Sequence, residues 1–297
     1  MTAPPLPDAA APADLAPAGA AAPPGVRLLH VDARVVVADK PPGMLVHRSR
    51  QAADRDVLLQ RVRDALGAWV TPVHRIDRPC SGALVLARDP AAARELQAAL
   101  GAADALKAYL AVVRGTPPAA GVFDGPLTDH RAGVLRPARS RFVRLAALPA
   151  IDAALVAVRL DTGRRHQIRR HFARAAHQLA GDTQYGKGWF NRRLRAAHHL
   201  PRLCLHAWRI DVAHPDGGRL ACTAPLAPDL AAFLARVPGG DAARAAIEAA
   251  AEIDWPGVAG EPSAAGEADG PGMEGAGHVA GLRGAGAEDG AAPRVDA

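Results

Sequence analysis

The 297 residues carry 36 Lys and Arg against 30 Asp and Glu, a formal net charge of +6, and 49% of them are hydrophobic. A chain of this size buries a core without needing a disulfide or a metal, and its three cysteines, Cys80, Cys204 and Cys222, are odd in number and lack Cys-x-x-Cys spacing, so they read as reduced thiols. No long uncharged apolar run offers a bilayer span, and the first 25 residues lack the basic start and continuous apolar core of a secretory signal, which predicts a soluble, cytoplasmic protein with no membrane partner.

Residues 1–25 are mostly Ala and Pro, and residues 238–297 are rich in Ala, Gly, Asp and Glu; both are expected to be disordered tails around a single domain over residues 26–237. Removing the tails leaves 33 basic and 17 acidic residues in the body, a net +16. Within that body, short β-rich runs are expected at 28–31 and 35–38, a helix near 56–67, a strand at 83–87 and a helix near 90–100 that starts on Pro90. Strands at 108–113, 142–145 and 155–160 follow, then a helix near 165–177, a strand at 208–212 and a helix near 226–236. Strands that succeed one another without regular helical crossovers predict an α+β fold, with a central mixed or antiparallel sheet and flanking helices. No apolar stripe is left unassigned, so a monomer is expected.

Arginine supplies nearly all the positive charge of the body, whose lysines are Lys40, Lys107 and Lys187. The run His74-Arg75-Ile76-Asp77-Arg78-Pro79-Cys80-Ser81-Gly82 sets one carboxylate among arginines and closes on a turn glycine. That pattern keeps Asp77 ionised and able to act as a nucleophile or base while guanidiniums hold an anionic substrate; alone, it also fits a surface salt bridge beside a turn. Downstream, Gly163-Arg164-Arg165-His166-Gln167-Ile168-Arg169-Arg170-His171 sets a strand end against a basic helix, with Arg165 and Arg169 on one helical face. A further cluster, Asn191-Arg192-Arg193-Leu194-Arg195, fits a solvated helix face as well as a phosphate contact. Two competing sites are weaker. Cys80 beside Arg78 lacks the His and Asn of a thiol catalyst, and His198, His199, Cys204 and His206 match no standard zinc spacing.

The two motifs together resemble the RluA-type pseudouridine synthases, whose signature is similar to His-Arg-Leu-Asp-Arg-x-Thr-Ser-Gly followed by Gly-Arg-x-His-Gln-Ile-Arg. The resemblance extends to Asp39-Lys40-Pro41-Pro42-Gly43-Met44-Leu45-Val46-His47, to Lys107-Ala108-Tyr109-Leu110 through Gly115, to Gly181-Asp182-Thr183-Gln184-Tyr185-Gly186 and to His206-Ala207-Trp208. It implies a pseudouridine synthase catalytic domain that isomerises uridine in RNA without cofactor or metal. In it Asp77 is the catalytic nucleophile or base, Tyr109 lies over the uracil, and Arg169, with Arg164 in reserve, orients Asp77. Arg75 fills the vacancy left by the extruded nucleotide, and Arg78, Arg164, Arg165, His166, Gln167 and Arg170 contact RNA. Cys80 stands where the family has Thr. Absence of a preceding RNA-binding module and the stretch from Gly181 to Arg192 resemble the TruC group, which modifies uridine 65 of transfer RNA. A ribosomal-RNA substrate is the first alternative, and a non-catalytic RNA-binding or folding factor that has kept the cleft is the second.

Overall fold

The computed structural model describes residues 23, 25–48, 56–129, 132–250 and 252–257. Strand β1 (Arg27–Val31) returns as β2 (Val35–Lys40) through a turn in which the Asp32 carboxylate accepts from the amides of Arg34 and Val35, at 2.7 Å each. Helix α1 (Leu58–Leu66), the short β3 (Thr71–Pro72), β4 (Ser81–Ala87) and α2 (Pro90–Gly101) follow. Helix α2 starts as its sequence dictates: Asp89 accepts from the Ala92 amide at 2.8 Å, and Pro90 takes the first helical position, where a missing donor costs nothing.

The long β5 (Leu106–Arg114) leads through β6 (Ala120–Asp124) and a hairpin of β7 (Leu127–Asp129) and β8 (Val134–Arg136) to β9 (Arg139–Leu148) and β10 (Ala153–Leu160). Helices α3 (Gln167–Arg174) and α4 (Gly188–His198), strands β11 (Leu205–Ala213) and β12 (Arg219–Thr223), and helices α5 (Pro228–Ala235) and α6 (Gly240–Ala249) complete the chain. The main sheet runs β1-β2-β4-β11-β5-β10-β9-β6, with β3 on β4 and β12 on β11.

Side chains alternate across this sheet, and both faces are covered. On one face Leu84 and Leu86 of β4, Ala111 and Val113 of β5 and Val156 and Val158 of β10 pack with Leu58 and Val62 of α1 and with Ile168 and Phe172 of α3. On the other, Leu110, Val112 and Leu155 meet Phe190 and Leu194 of α4, Phe233 of α5 and Ile247 of α6, while Val85 meets Leu96 of α2. Full burial explains why β4, Ser-Gly-Ala-Leu-Val-Leu-Ala, is apolar from Gly82 onward rather than alternating.

The expected α+β class with a mixed sheet is what the chain adopts, and the departures are local. Helix α3 begins at Gln167, so Arg165 lies outside it and shares no helical face with Arg169. Helix α6 lies beyond the expected domain end at 237, burying Ala243 and Ile247 beside Ile253 and Trp255; an Ala- and Gly-rich composition hid a short amphipathic period. Strands β6, β7, β8 and β12 escaped notice because they are short and partly polar. The rest of the expected acidic tail, and residues 1–25 apart from 23 and 25, lie outside the described residues. Among the described residues no helix is long and apolar enough to cross a membrane.

Neighbouring strands pair antiparallel except β4 and β11, which run parallel with Ser81 opposite His206 and Gly82 opposite Ala207. Gly82 has φ +107°, and a Cβ there would stand 2.1 Å from the Ala207 carbonyl oxygen. This backbone approach joins the two antiparallel halves of the sheet, so Gly82→Ala is expected to destabilise the fold by at least about 2 kcal/mol. Gly101→Ala, with nothing within 4 Å of the added carbon, is expected to be near neutral. Urea unfolding of the two variants measures the difference.

Candidate active site

The β4–β11 junction is where the loop carrying Asp77 enters the sheet, and that loop is braced at both ends. His74 accepts the Val85 amide on Nε2 at 3.0 Å, and burial, with Lys107 nearby, takes its pKa down to about 4, so the ring is neutral and structural. Within the loop, the Cys80 amide donates to the Asp77 carbonyl at 2.9 Å. Lys40 is fully buried and spends its ammonium on three carbonyls, those of Pro41 at 2.8 Å, Met44 at 2.9 Å and Arg78 at 3.0 Å; burial lowers its pKa to about 8. Arg78 donates its Nε to the Gly43 carbonyl at 2.8 Å, tying the loop to the Pro-Pro-Gly turn. From the other side Arg202, gripped by Asp229 through two hydrogen bonds, donates to the Pro79 carbonyl at 3.1 Å and the Ser81 hydroxyl at 2.8 Å.

The partner of the loop is the start of α3. Gln167 is buried: its Oε1 accepts from the Arg164 amide and the Thr162 hydroxyl, and its Nε2 donates to the Arg139 carbonyl and the Ser140 hydroxyl. Those bonds hold the turn before the helix, where His166 takes the left-handed φ of +54° that a side chain with a Cβ rarely adopts. Strain at that residue sets its imidazole between Tyr185, whose hydroxyl is 3.1 Å from Nδ1, and Asp77, 3.7 Å from Nε2. Burial lowers the His166 pKa while Asp77 opposes the shift.

One turn on, Arg169 donates Nη1 to Asp77 Oδ2 at 3.0 Å and grips Asp182 with Nε at 2.7 Å and Nη2 at 2.9 Å. Burial opposes its charge, but the two carboxylates hold its pKa above the ordinary guanidinium value. Burial would raise the Asp182 carboxyl; Arg169 and the amides of Tyr185 and Gln184 instead hold it below the usual carboxylate range. Asn191 of α4 locks this loop, accepting from the Gly181 amide and donating to the Asp182 carbonyl at 2.8 Å each.

Asp77 and Arg169 open into a cleft of about 580 Å³, within the size range of ligand sites. Arg75, Arg78, Arg136, Arg164 and Arg165 also line it, against the carboxylates of Asp77 and Asp129. A concave surface with this excess of guanidinium favours a polyanion. Tyr109 lies half-buried on β5 against the same core cluster as Ile76 and Cys80; burial, with Cys80 and Asp77 adding to it, pushes its phenol pKa upward, so it stays protonated.

Expected site residues therefore divide. Asp77, His166 and Arg169 meet, and Arg75, Arg78, Arg164 and Arg165 stand on the cleft wall. Gln167 and Arg170 are buried instead: Gln167 caps the turn and Arg170 donates to the Thr128 carbonyl of β7 at 3.0 Å. Asp182, Tyr185, Lys40 and Arg202 had no assigned role in the sequence; the signals were Lys40 in the Asp-Lys-Pro-Pro-Gly segment and Asp182 and Tyr185 in a Gly-Asp-x-x-Tyr-Gly loop. Cys80 is 1% exposed with its thiol pushed up to about 12 by burial, which removes a reactive-thiol reading and leaves it as a packed stand-in for Thr.

The candidate zinc residues serve separate ends. His198 faces the Arg236 carbonyl, His206 bonds the Ser81 hydroxyl with its pKa lowered to about 4 by burial, and burial takes the Cys204 thiol to about 12. Among the described residues the group spaced for a metal is His30, Asp32 and His214. His214 accepts the Asp216 amide on Nδ1, so its Nε2 carries the proton and donates to Asp32 at 3.0 Å; the cluster is a hydrogen-bonded clamp between two hairpins.

A sheet whose parallel seam aims a carboxylate into a guanidinium-walled cleft defines an enzyme built for a polyanionic substrate. Residues 34–174 match the family model described as RNA pseudouridylate synthase. The chain is 34% identical over 210 residues to tRNA pseudouridine synthase C of Vibrio cholerae serotype O1, covering 64% of this chain and 86% of that protein. It is 33% identical over 214 residues to tRNA pseudouridine synthase C of Pectobacterium carotovorum subsp. carotovorum, covering 65% of this chain; it spans 57% of that relative's length. Among solved structures, Human RNA Pseudouridylate Synthase Domain Containing 4 aligns with a TM-score of 0.58 at 25% identity, over 70% of this chain and 92% of that one. The chain belongs to the RNA pseudouridylate synthase family, RluA-type isomerases of RNA.

The Asp182–Arg169 pair is almost wholly buried, so Asp182→Asn is expected to cost roughly 3 kcal/mol or more at pH 7 and to lower turnover at least about tenfold by releasing Arg169 from Asp77. A carboxyl whose pKa is lowered by folding stabilises above its unfolded pKa and ceases to do so as pH falls through its folded one. The variant's stability should accordingly fall less than the parent's below about pH 4, which denaturant melts across pH test directly.

Proposed function

We propose that this protein converts a uridine of transfer RNA to pseudouridine, with Asp77 as the catalytic nucleophile or base, and that uridine 65 in the acceptor-side region is the target. The observation that carries the reading is the 3.0 Å contact between Asp77 and Arg169 on the floor of the arginine-lined cleft, near Tyr109. Similarity to two proteins named tRNA pseudouridine synthase C supports transfer RNA as the substrate.

The reaction breaks the bond from ribose C1′ to uracil N1, turns the base and joins C1′ to C5, with the C5 proton lost and N1 protonated; no electrons enter or leave. Asp77 either adds to C1′ as N1 departs or removes a ribose proton to give a glycal, and Arg169 orients the carboxylate for both routes. The target must first leave its stack, at a cost of a few kcal/mol, and Arg75 on the cleft wall is placed to fill the gap. Tyr109 keeps its proton, so it serves as a platform for the freed uracil. Once C1′–C5 has formed, the C5 proton passes to a base other than the protonated Tyr109, for which the regenerated Asp77 carboxylate serves.

Asp77→Asn is expected to lower pseudouridine formation by about three orders of magnitude or more while leaving RNA affinity within a few-fold of the parent. Mapping pseudouridine across transfer and ribosomal RNA from cells lacking the gene names the target. Loss of a ribosomal site with transfer RNA unaltered would reassign the substrate, and full activity of Asp77→Asn would remove Asp77 from its role.

A further inference from the structure

We infer that the outer face of α4 is a second RNA contact, which holds a part of the substrate outside the stem-loop whose uridine enters the cleft; this rests on the reading of the protein as an RNA isomerase. The helix Gly-Trp-Phe-Asn-Arg-Arg-Leu-Arg-Ala-Ala-His contains no acidic residue, and Lys187 precedes it. Phe190, Asn191 and Leu194 face inward, leaving Lys187, Trp189, Arg192 and Arg195 exposed. Residues 189, 192 and 195 follow one another at three-residue steps and so form one stripe.

Two features set this stripe apart from ordinary surface charge. First, the stripe is free of acids, unlike three other surface arginines: Arg34 meets Asp89, Asp216 and Glu95, Arg219 meets Asp104 and Asp211, and Arg61 meets Asp56. Among the described residues exposed Arg27, Arg48 and Arg94 also form no ion pair, but no exposed tryptophan adjoins them in sequence. Among the described residues Arg192 and Arg195 have no ion pair or hydrogen bond, which they share with Arg75, Arg136 and Arg165 in the cleft. Secondly, Trp189 is 50% exposed, an unusual use of a large apolar ring, and it is held in place. The Arg193 guanidinium lies 5.4 Å from its ring centre and 5.6 Å from that of Phe190, and is itself anchored to the Ile151 carbonyl at 2.7 Å. A fixed indole beside free guanidiniums suits a nucleobase stacked on the ring and phosphates on either side.

Placement agrees. Tyr185 touches His166 of the cleft, and Trp189 follows four residues later, a chain distance of at most about 14 Å. Helix α4 packs on the sheet face opposite the cleft, so RNA that reaches both passes around the edge of the sheet. A short stem-loop spans the cleft alone, whereas a whole transfer RNA spans both.

The test compares a full transfer-RNA transcript with a stem-loop cut from it around the target uridine. For Arg192→Glu with Arg195→Glu we expect KM on the transcript to rise about tenfold or more with kcat within about twofold, and the slope of log affinity against log salt to flatten by about 1.4 to 1.8, the release from two phosphates. Trp189→Ala should weaken transcript binding at least about fivefold. Neither change should alter kinetics on the stem-loop. Arg192→Gln with Arg195→Gln, which avoids reversed charge, should show a smaller loss of the same kind and a melting curve like the parent's. Unchanged transcript KM and salt slope, or equal losses on both RNAs, would overturn the inference. If the parent isomerises neither RNA yet its transcript binding keeps the α4-dependent slope, the isomerase reading falls and the contact stands.

Discussion

Arg169 is shared between two carboxylates, and the order of the site follows from that sharing. A guanidinium has a planar fork of donors; here one edge is filled by Asp182 and the remaining nitrogen reaches Asp77. Because Asp182 takes the bidentate position and is itself fixed by backbone amides, Arg169 has little freedom left, and Asp77 inherits its orientation from a charge it does not fully neutralise. A single Asp–Arg pair would be more stable and less reactive, since the arginine could close on both oxygens. Dividing the arginine leaves Oδ1 of Asp77 out of that bond, with His166 Nε2 at 3.7 Å, too long for a hydrogen bond.

The backbone around this arrangement is correspondingly over-determined. Lys40 and Arg202 approach the Asp77 loop from opposite sides, Lys40 giving its ammonium to three carbonyls and Arg202, paired with Asp229, donating to the Pro79 carbonyl. Gly82 lets β4 come close enough to β11 for the loop to enter the centre of the sheet instead of its edge. His166 accepts a strained backbone at the start of α3, which Gln167 stabilises with four hydrogen bonds. These are long-range constraints, set by residues up to more than a hundred positions apart.

That distance separates what the sequence discloses from what it conceals. The pairing of Asp77 with Arg169 was legible through the family resemblance that their two motifs carry, and the α+β class because strands succeed one another without crossovers. The burial of Gln167 and Arg170 was hidden for the same reason: they lie inside a basic motif, but a helix sends successive residues to different faces, and theirs meet the Ser140 strand and the β7–β8 hairpin. Asp182 was visible as a residue but not as the holder of Arg169, since nothing local tells a carboxylate in a Gly-rich loop which arginine it will meet. Helix α6 was lost to composition, where a few well-spaced apolar side chains count for little among alanines.

Net charge says less about RNA than the state of each arginine does. On the hairpin side opposite α4 in the sheet order, Arg34 of the β1–β2 turn and Arg219 of β12 are consumed by Asp and Glu partners, contributing to packing of loops and almost nothing to a field at distance. Among the described residues, Arg75, Arg136 and Arg165 in the cleft and Arg192 and Arg195 on α4 form no ion pair with an acid. Counterions condensed on RNA are released only by cations that are not already paired, so affinity and its salt dependence follow this uncompensated subset rather than the +6 of the whole chain. Excess arginine in the sequence thus resolves into two populations, one that holds loops together and one that is free to meet phosphate.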